Sequence, residues 1–175
     1  DKLGLTGSVL KYYKYPNKIQ AVGGKVNDFF STTSEINNLY VLDIDYVIGA
    51  SCLISPKVLS VVGLLSSEYF LYYEDVDYSY TVKKLGFKIG FSKESIVYHK
   101  VGGSTGLILN KYKRSDSYDL LMLKNRFKFH RKFTNNNLGL YLGLLIVLLN
   151  RIKRRKFHLL PEILKLIWVK VTCLL

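Results

Sequence analysis

Phe70-Leu71-Tyr72-Tyr73-Glu74-Asp75-Val76-Asp77-Tyr78-Ser79-Tyr80, continued by Thr81-Val82-Lys83-Lys84-Leu85-Gly86, is the stretch on which the reading of this chain turns. An apolar, aromatic run delivers three carboxylates within four residues, and helical spacing then continues to a terminating glycine. Glu74, Asp75 and Asp77 therefore fall in the first turn of a helix, where unpaired amides and the macrodipole favour negative side chains. Taken alone, this is an ordinary acidic helix start. The aromatic run in front adds a second use, because it places an acid at the floor of a cleft lined by Tyr72 and Tyr73, where a carboxylate serves as a general base.

Outward from this joint the chain alternates extended and helical segments. Upstream, Ser55-Pro56 is a helix start with serine as cap and proline in the first turn; Val58, Leu59 and Val62 give an apolar face, and Gly63 ends it. Tyr40 to Ser55 is expected to form two buried strands bent at Gly49-Ala50. Further back, Leu3 to Tyr15 reads as a strand stopped by Pro16-Asn17. Ile19 to Val26 is a short extended segment broken by Gly23-Gly24, which permits a hairpin or a close backbone approach. Asn27 to Leu39 reads as a polar loop.

Downstream, Phe87 to Phe91 and Ile96 to His99 are extended runs, the second leading into the glycine-rich Lys100-Val101-Gly102-Gly103-Ser104-Thr105-Gly106. A lone histidine is more often a core or surface residue than a ligand, so His99 alone specifies no metal. Neither glycine-rich segment has the spacing of a phosphate loop.

The 175 residues suffice for one domain with a real core, and 49% hydrophobic residues with three prolines exclude a disordered chain. The formal charge of +13 is concentrated between Lys111 and Leu175, where 15 Lys and Arg face three acids. That tail calls for an anionic partner. Tyr118 to Phe133 is a basic helix, and Asn135-Asn136-Asn137 breaks it. Leu138 to Leu149 is a twelve-residue apolar run, short of the roughly 20 needed to span a bilayer. Arg151 to Lys156 is basic, and a last amphipathic helix starts near Pro161 and carries Ile163, Ile167 and Trp168. Two readings stay open: helices lying on an anionic membrane surface, or helices packed on their own domain with a solvated charge run. Aromatics and cations do not interleave as a stacking platform would, so nucleic acid is not among the expected partners. Cys52 and Cys173 have no metal spacing and fit a reduced, cytoplasmic compartment. The opening Asp1-Lys2 has no charged-then-apolar leader and no methionine, as expected of a fragment with its N-terminal half missing.

Asp45-Tyr46-Val47-Ile48-Gly49-Ala50-Ser51-Cys52-Leu53-Ile54, then Phe70 to Tyr78, then Gly86-Phe87-Lys88-Ile89, then Val97-Tyr98-His99 with Gly102-Gly103-Ser104, together resemble the family 2 glycosyltransferases, in particular their rhamnosyltransferase-like branch. The resemblance runs from about Leu3 to Phe133. It implies an α/β fold: a partial GT-A-type mixed sheet flanked by helices over residues 1–133, followed by a basic, apolar helical tail over 134–175. It also implies inverting transfer of a sugar, with rhamnose a candidate, from a nucleotide-diphosphate donor to a lipid-linked or oligosaccharide acceptor in cell-surface polysaccharide synthesis, at the inner face of the cell membrane.

By the same resemblance Asp75 is the base that deprotonates the acceptor hydroxyl. Glu74, Asp77, Asp45, Gly49 and Ala50 lie on the acceptor side. Lys100 and Arg126 face the donor diphosphate, and His99 completes a divalent metal site, Mg or Mn, whose Asp-x-Asp motif is absent from this chain. Asp43-x-Asp45 has the right letters but lies on the acceptor side and is not assigned to metal. The fragment alone is then expected to be inactive. The alternative is a non-catalytic module that binds membrane or other anions through its tail.

Overall fold

The computed structural model describes residues 2–102, 116–134 and 136–165. The chain is mixed α/β and packs as two compact units: residues 1–26 with 33–113, and residues 27–32 with 114–175. The basic helix over 116–133 lies in the second of these units.

The first unit is built on strand β1 (Leu3–Tyr12), buried along most of its length. On one edge β1 pairs antiparallel with β2 (Tyr15–Ala21) and with β5 (Cys52–Ile54), and on the other parallel with β6 (Lys88–His99). A separate two-stranded sheet joins β3 (Gly23–Asn27) to β4 (Thr32–Ile36). Helices α1 (Pro56–Val62) and α2 (Glu74–Lys84) place Val58, Tyr78 and Val82 against Leu5, Ile44 and Val47 to make the core. Each such apolar side chain contributes about 1.5–3 kcal/mol when fully buried.

Local signals set both helices. The Ser55 hydroxyl accepts the Val58 amide at 3.3 Å, Pro56 opens α1, and Gly63 closes it. All three acids stand in the first turn of α2 and Lys83 and Lys84 in its last, complementary to the macrodipole.

Several strand expectations are corrected. The first strand ends at Tyr12; the turn is Tyr13-Lys14, and Pro16-Asn17 lies inside β2, an edge strand that tolerates a missing donor. The polar stretch after Asn27 contains β4. Tyr40 to Ser51 is mostly loop, tied by one bridge between Gly24 and Tyr46, and only Cys52–Ile54 pairs as a strand. Lys88–Phe91 and Ile96–His99 belong to one strand, β6, which Phe87 precedes. Its register slips between Ser8↔Ser92 and Val9↔Ile96, and the Ser95 hydroxyl there lies 2.7 Å from that of the buried Ser8.

The second unit is an antiparallel pair, α3 (Asp116–Phe133) and α4 (Asn137–Lys153), followed by a 3-10 turn (Phe157–Leu159) and a helix over 160–165. Leu123, Phe127, Leu140, Leu144, Leu159 and Ile163 form its core. Asp119 pairs with Arg151 at 3.1 Å, and Asp116 with Lys156 at 2.8 Å, clamping the start of α3 to the chain leaving α4. The basic run at 151–156 is therefore divided: Arg151 and Lys156 are paired, whereas Lys153, Arg154 and Arg155 are exposed.

The β3–β4 turn enters this unit. The Phe30 carbonyl accepts Arg126 Nε at 2.7 Å, and His130 Nδ1 lies 2.9 Å from the buried Ser31 hydroxyl and 2.6 Å from that of Thr134. Burial holds the His130 imidazole below its ordinary value of 6.5, opposed by the Asn137 side chain and aided by the Arg126 charge. A depressed histidine resists the proton that the unfolded chain accepts, so its contribution to stability is complete above pH 6.5 and is lost as pH falls toward the folded value. The urea midpoint of the second unit is accordingly expected to fall between about pH 7 and about pH 5. His130→Gln should flatten that slope; an unchanged slope would refute the assignment.

Candidate functional site

The joint ahead of α2 is conformationally unusual. Tyr72 and Tyr73 both have positive φ, 69° and 71°, and Tyr73, the residue capping α2, offers no side-chain cap. Bulky residues in the left-handed region cost on the order of 1–3 kcal/mol each and persist where surrounding contacts impose them, as at binding and catalytic sites. The capping is supplied from inside the turn: Asp75 Oδ1 accepts the Val76 amide at 2.8 Å.

The other oxygen, Oδ2, accepts the Gly49 amide at 2.9 Å. A side chain at Gly49 would stand 3.4 Å from the carboxylate, so the Gly49-Ala50 turn packs directly over it, with Gly49 and Ala50 themselves exposed. Burial pushes the Asp75 carboxyl above its ordinary value, although the amides of Gly49 and Val76 pull the other way. Glu74 is also pushed up, first by burial and then by the neighbouring Asp75, and its Oε2 is buried without a hydrogen-bond partner among the described residues. Two adjacent carboxylates thus hold protons more tightly than in water, the direction in which a carboxylate becomes a better general base.

The remaining acids are committed to the scaffold. Asp77 is buried and its Oδ2 accepts the Tyr69 hydroxyl at 3.0 Å, fixing the aromatic run to the helix. Tyr69→Phe removes one buried donor and is expected to lower stability by about 1–2 kcal/mol in urea unfolding; no change would remove this bond from the joint. Asp45, expected on the acceptor side, is engaged by Lys83 Nζ at 2.9 Å, the Val26 amide at 3.1 Å and Lys25 Nζ at 3.5 Å. Burial alone would raise its carboxyl, but Lys83, the Val26 amide and Lys25 together hold it below the ordinary range. Asp43 pairs with Lys25 at 2.7 Å, so the Asp43-x-Asp45 pair is neutralised by lysines.

His99 lies at the far end of the sheet. It pairs with Tyr12, five positions along β1 from Gly7, the partner of Cys52, a run on the order of 16 Å. Its Nδ1 meets Gln20 Oε1 at 2.8 Å, and burial depresses its pKa. With the Nδ1 proton given to Gln20, Nε2 keeps its lone pair, the arrangement typical of a metal-ligating histidine. Such a nitrogen could serve as one ligand of a divalent ion. Among the described residues no group of three His, Cys, Asp or Glu could hold one, so further ligands would have to come from elsewhere. Lys100 lies 4.5 Å from the Tyr13 ring centre. Arg126 belongs to the second unit, where it is buried and bonded to the Phe30 carbonyl. Gly102 is described, whereas Gly103 to Gly106 of the expected lid, and Ile167, Trp168 and Cys173, lie outside the described residues.

Sequence reading missed Gln20, Tyr69 and the left-handed backbone of Tyr72 and Tyr73. No glycine or asparagine marks positions 72 and 73, and the Gln20–His99 contact spans 79 positions. Scans against models of protein families and a search of curated proteins find no match to this chain. What fold and site define is a class: a mixed α/β unit that presents a carboxylate pair of raised pKa at a strained helix start, joined in sequence to a basic helical unit.

Proposed function

We propose that this chain is the acceptor-side part of an inverting glycosyltransferase of the GT-A type, in which Asp75 removes the proton from an acceptor hydroxyl while a nucleotide diphosphate leaves the sugar. The observation that carries the reading is the Asp75 carboxylate itself, raised in pKa, oriented by the Gly49 amide and set beside an exposed turn. A single displacement needs one such base. Glu74 lies next to it as the residue that orients the acceptor. The sequence order of Gly-Ala turn, acidic helix start and histidine with glycines supports the same reading. Nucleotide and metal binding then rest with an Asp-x-Asp half that these residues do not include. A bound divalent cation would neutralise the leaving diphosphate, with His99 among its ligands. Cell-surface polysaccharide synthesis on a lipid-linked acceptor, with rhamnose as the candidate sugar, is the setting this implies.

The test is transfer from labelled nucleotide sugars by a protein carrying both halves. Loss of turnover in Asp75→Asn, with donor binding kept, supports the reading. Retained turnover overturns it.

A further inference from the structure

Helix α4 carries two apolar faces, and only one is used. Gly139, Leu140, Gly143 and Leu144 are buried in the second unit, with Val147 and Leu148 packed beside them. Leu138, Tyr141, Leu142, Leu145, Ile146, Leu149 and Ile152 are all 42% or more exposed. At 100° per residue these seven cover an arc of roughly 140° on the opposite side, an unbroken stripe running the length of the helix.

The charge on α4 itself is of one sign. No acid occurs in Asn137–Lys153, and Lys153, Arg154 and Arg155 are exposed at its C-terminal end. Both acids of α3 are answered within the unit, Asp116 by Lys156 and His158, Asp119 by Arg151. A second copy docking through the stripe would bring two such basic clusters into one assembly with no free acid on either helix to offset them. No described helix is long and apolar enough to cross a membrane, and the face packed on α3 is already occupied. What answers both the apolar stripe and its cations is a surface that is apolar within and anionic at its edge.

We infer that the outer face of α4 lies in the plane of an anionic lipid bilayer, with Leu145 and Leu149 at the centre of the inserted stripe and Lys153, Arg154 and Arg155 at the headgroups. The inference stands independently of the sugar-transfer reading, since it uses no residue of the first unit.

Flotation of the full chain with phosphatidylcholine vesicles, with and without phosphatidylglycerol, tests it. Binding is expected only to the anionic vesicles and should fall as salt is raised. Because the altered side chains are exposed, the variants keep their fold, checked by circular dichroism. Arg154→Gln with Arg155→Gln should weaken partition roughly thirtyfold. Leu145→Ser with Leu149→Ser should weaken it roughly a hundredfold or more. Equal binding to neutral vesicles, or indifference to the leucine pair, overturns the inference. So does a dimer, seen by sedimentation, that the leucine pair dissociates while vesicles go unbound; that outcome gives the stripe to a second copy.

Discussion

Asp75→Asn, in a protein that also holds the donor, is expected to lower sugar transfer by about 10²–10⁴-fold, the range spanned by a positioned general base. The substitution keeps the shape of the side chain and one acceptor oxygen for the Gly49 amide, so donor affinity should not move. The wild-type rate should fall as pH drops through the raised Asp75 value, because protonation removes the base. Stability runs the other way. A carboxyl whose folded pKa is raised binds its proton more tightly folded than unfolded. It therefore lowers stability as pH rises through the window from 3.8 to the folded value, and the deficit persists above it. Asp75→Asn removes that deficit but leaves one of the two amides, Gly49 or Val76, facing an NH2 group; the two effects oppose, and its thermal midpoint at neutral pH should stay close to that of the wild type. A dead variant that is also unfolded would reduce Asp75 to a structural acid. Glu74→Gln is the companion variant. If it abolishes transfer while Asp75→Asn does not, the proton goes to Glu74, whose carboxyl is also raised and whose Oε2 is buried.

Gly139→Ala is expected to destabilise the second unit by about 3 kcal/mol or more, at the upper end of the range for overpacking. A Cβ there would run into the Phe29 carbonyl oxygen and stand 2.7 Å from its carbon. Both are backbone atoms, so no rotamer change relieves the clash. Moving the turn outward would also disturb the neighbouring Phe30 carbonyl that accepts Arg126 and the Ser31 hydroxyl that meets His130, both in the interior of the unit. The contrast is Gly90→Ala in β6, where a Cβ meets nothing within 4 Å; it should change stability by less than about 1 kcal/mol. Urea unfolding separates the two, and a Gly139→Ala midpoint equal to wild type would refute the close approach.

Both helices at the candidate site were legible because their signals are local. Ser55, Pro56 and Gly63 act within one turn of the backbone they cap, and the acids at 74, 75 and 77 act on amides in their own turn. Strands were less legible for the opposite reason. Tyr40 to Ile48 is apolar enough to be buried, and Ile44 and Val47 are. Burial alone does not supply a pairing partner, however, and most of that segment stays loop. Thr32–Ile36 is polar yet becomes β4, because Gly23–Asn27 is folded back beside it.

The sequence alone determined where α1 and α2 start, that Asp75 stands in a helix's first turn, and that the positive charge gathers in the tail, since each is a matter of near neighbours and composition. Tertiary structure alone decided which carboxylates are tied to other side chains and which meets backbone amides. Asp45 meets Lys83 across 38 positions and Asp77 is held under Tyr69, whereas Asp75 meets Gly49 across 26. The pKa of a carboxylate follows from what burial and distant chain bring against it, and no local pattern encodes that.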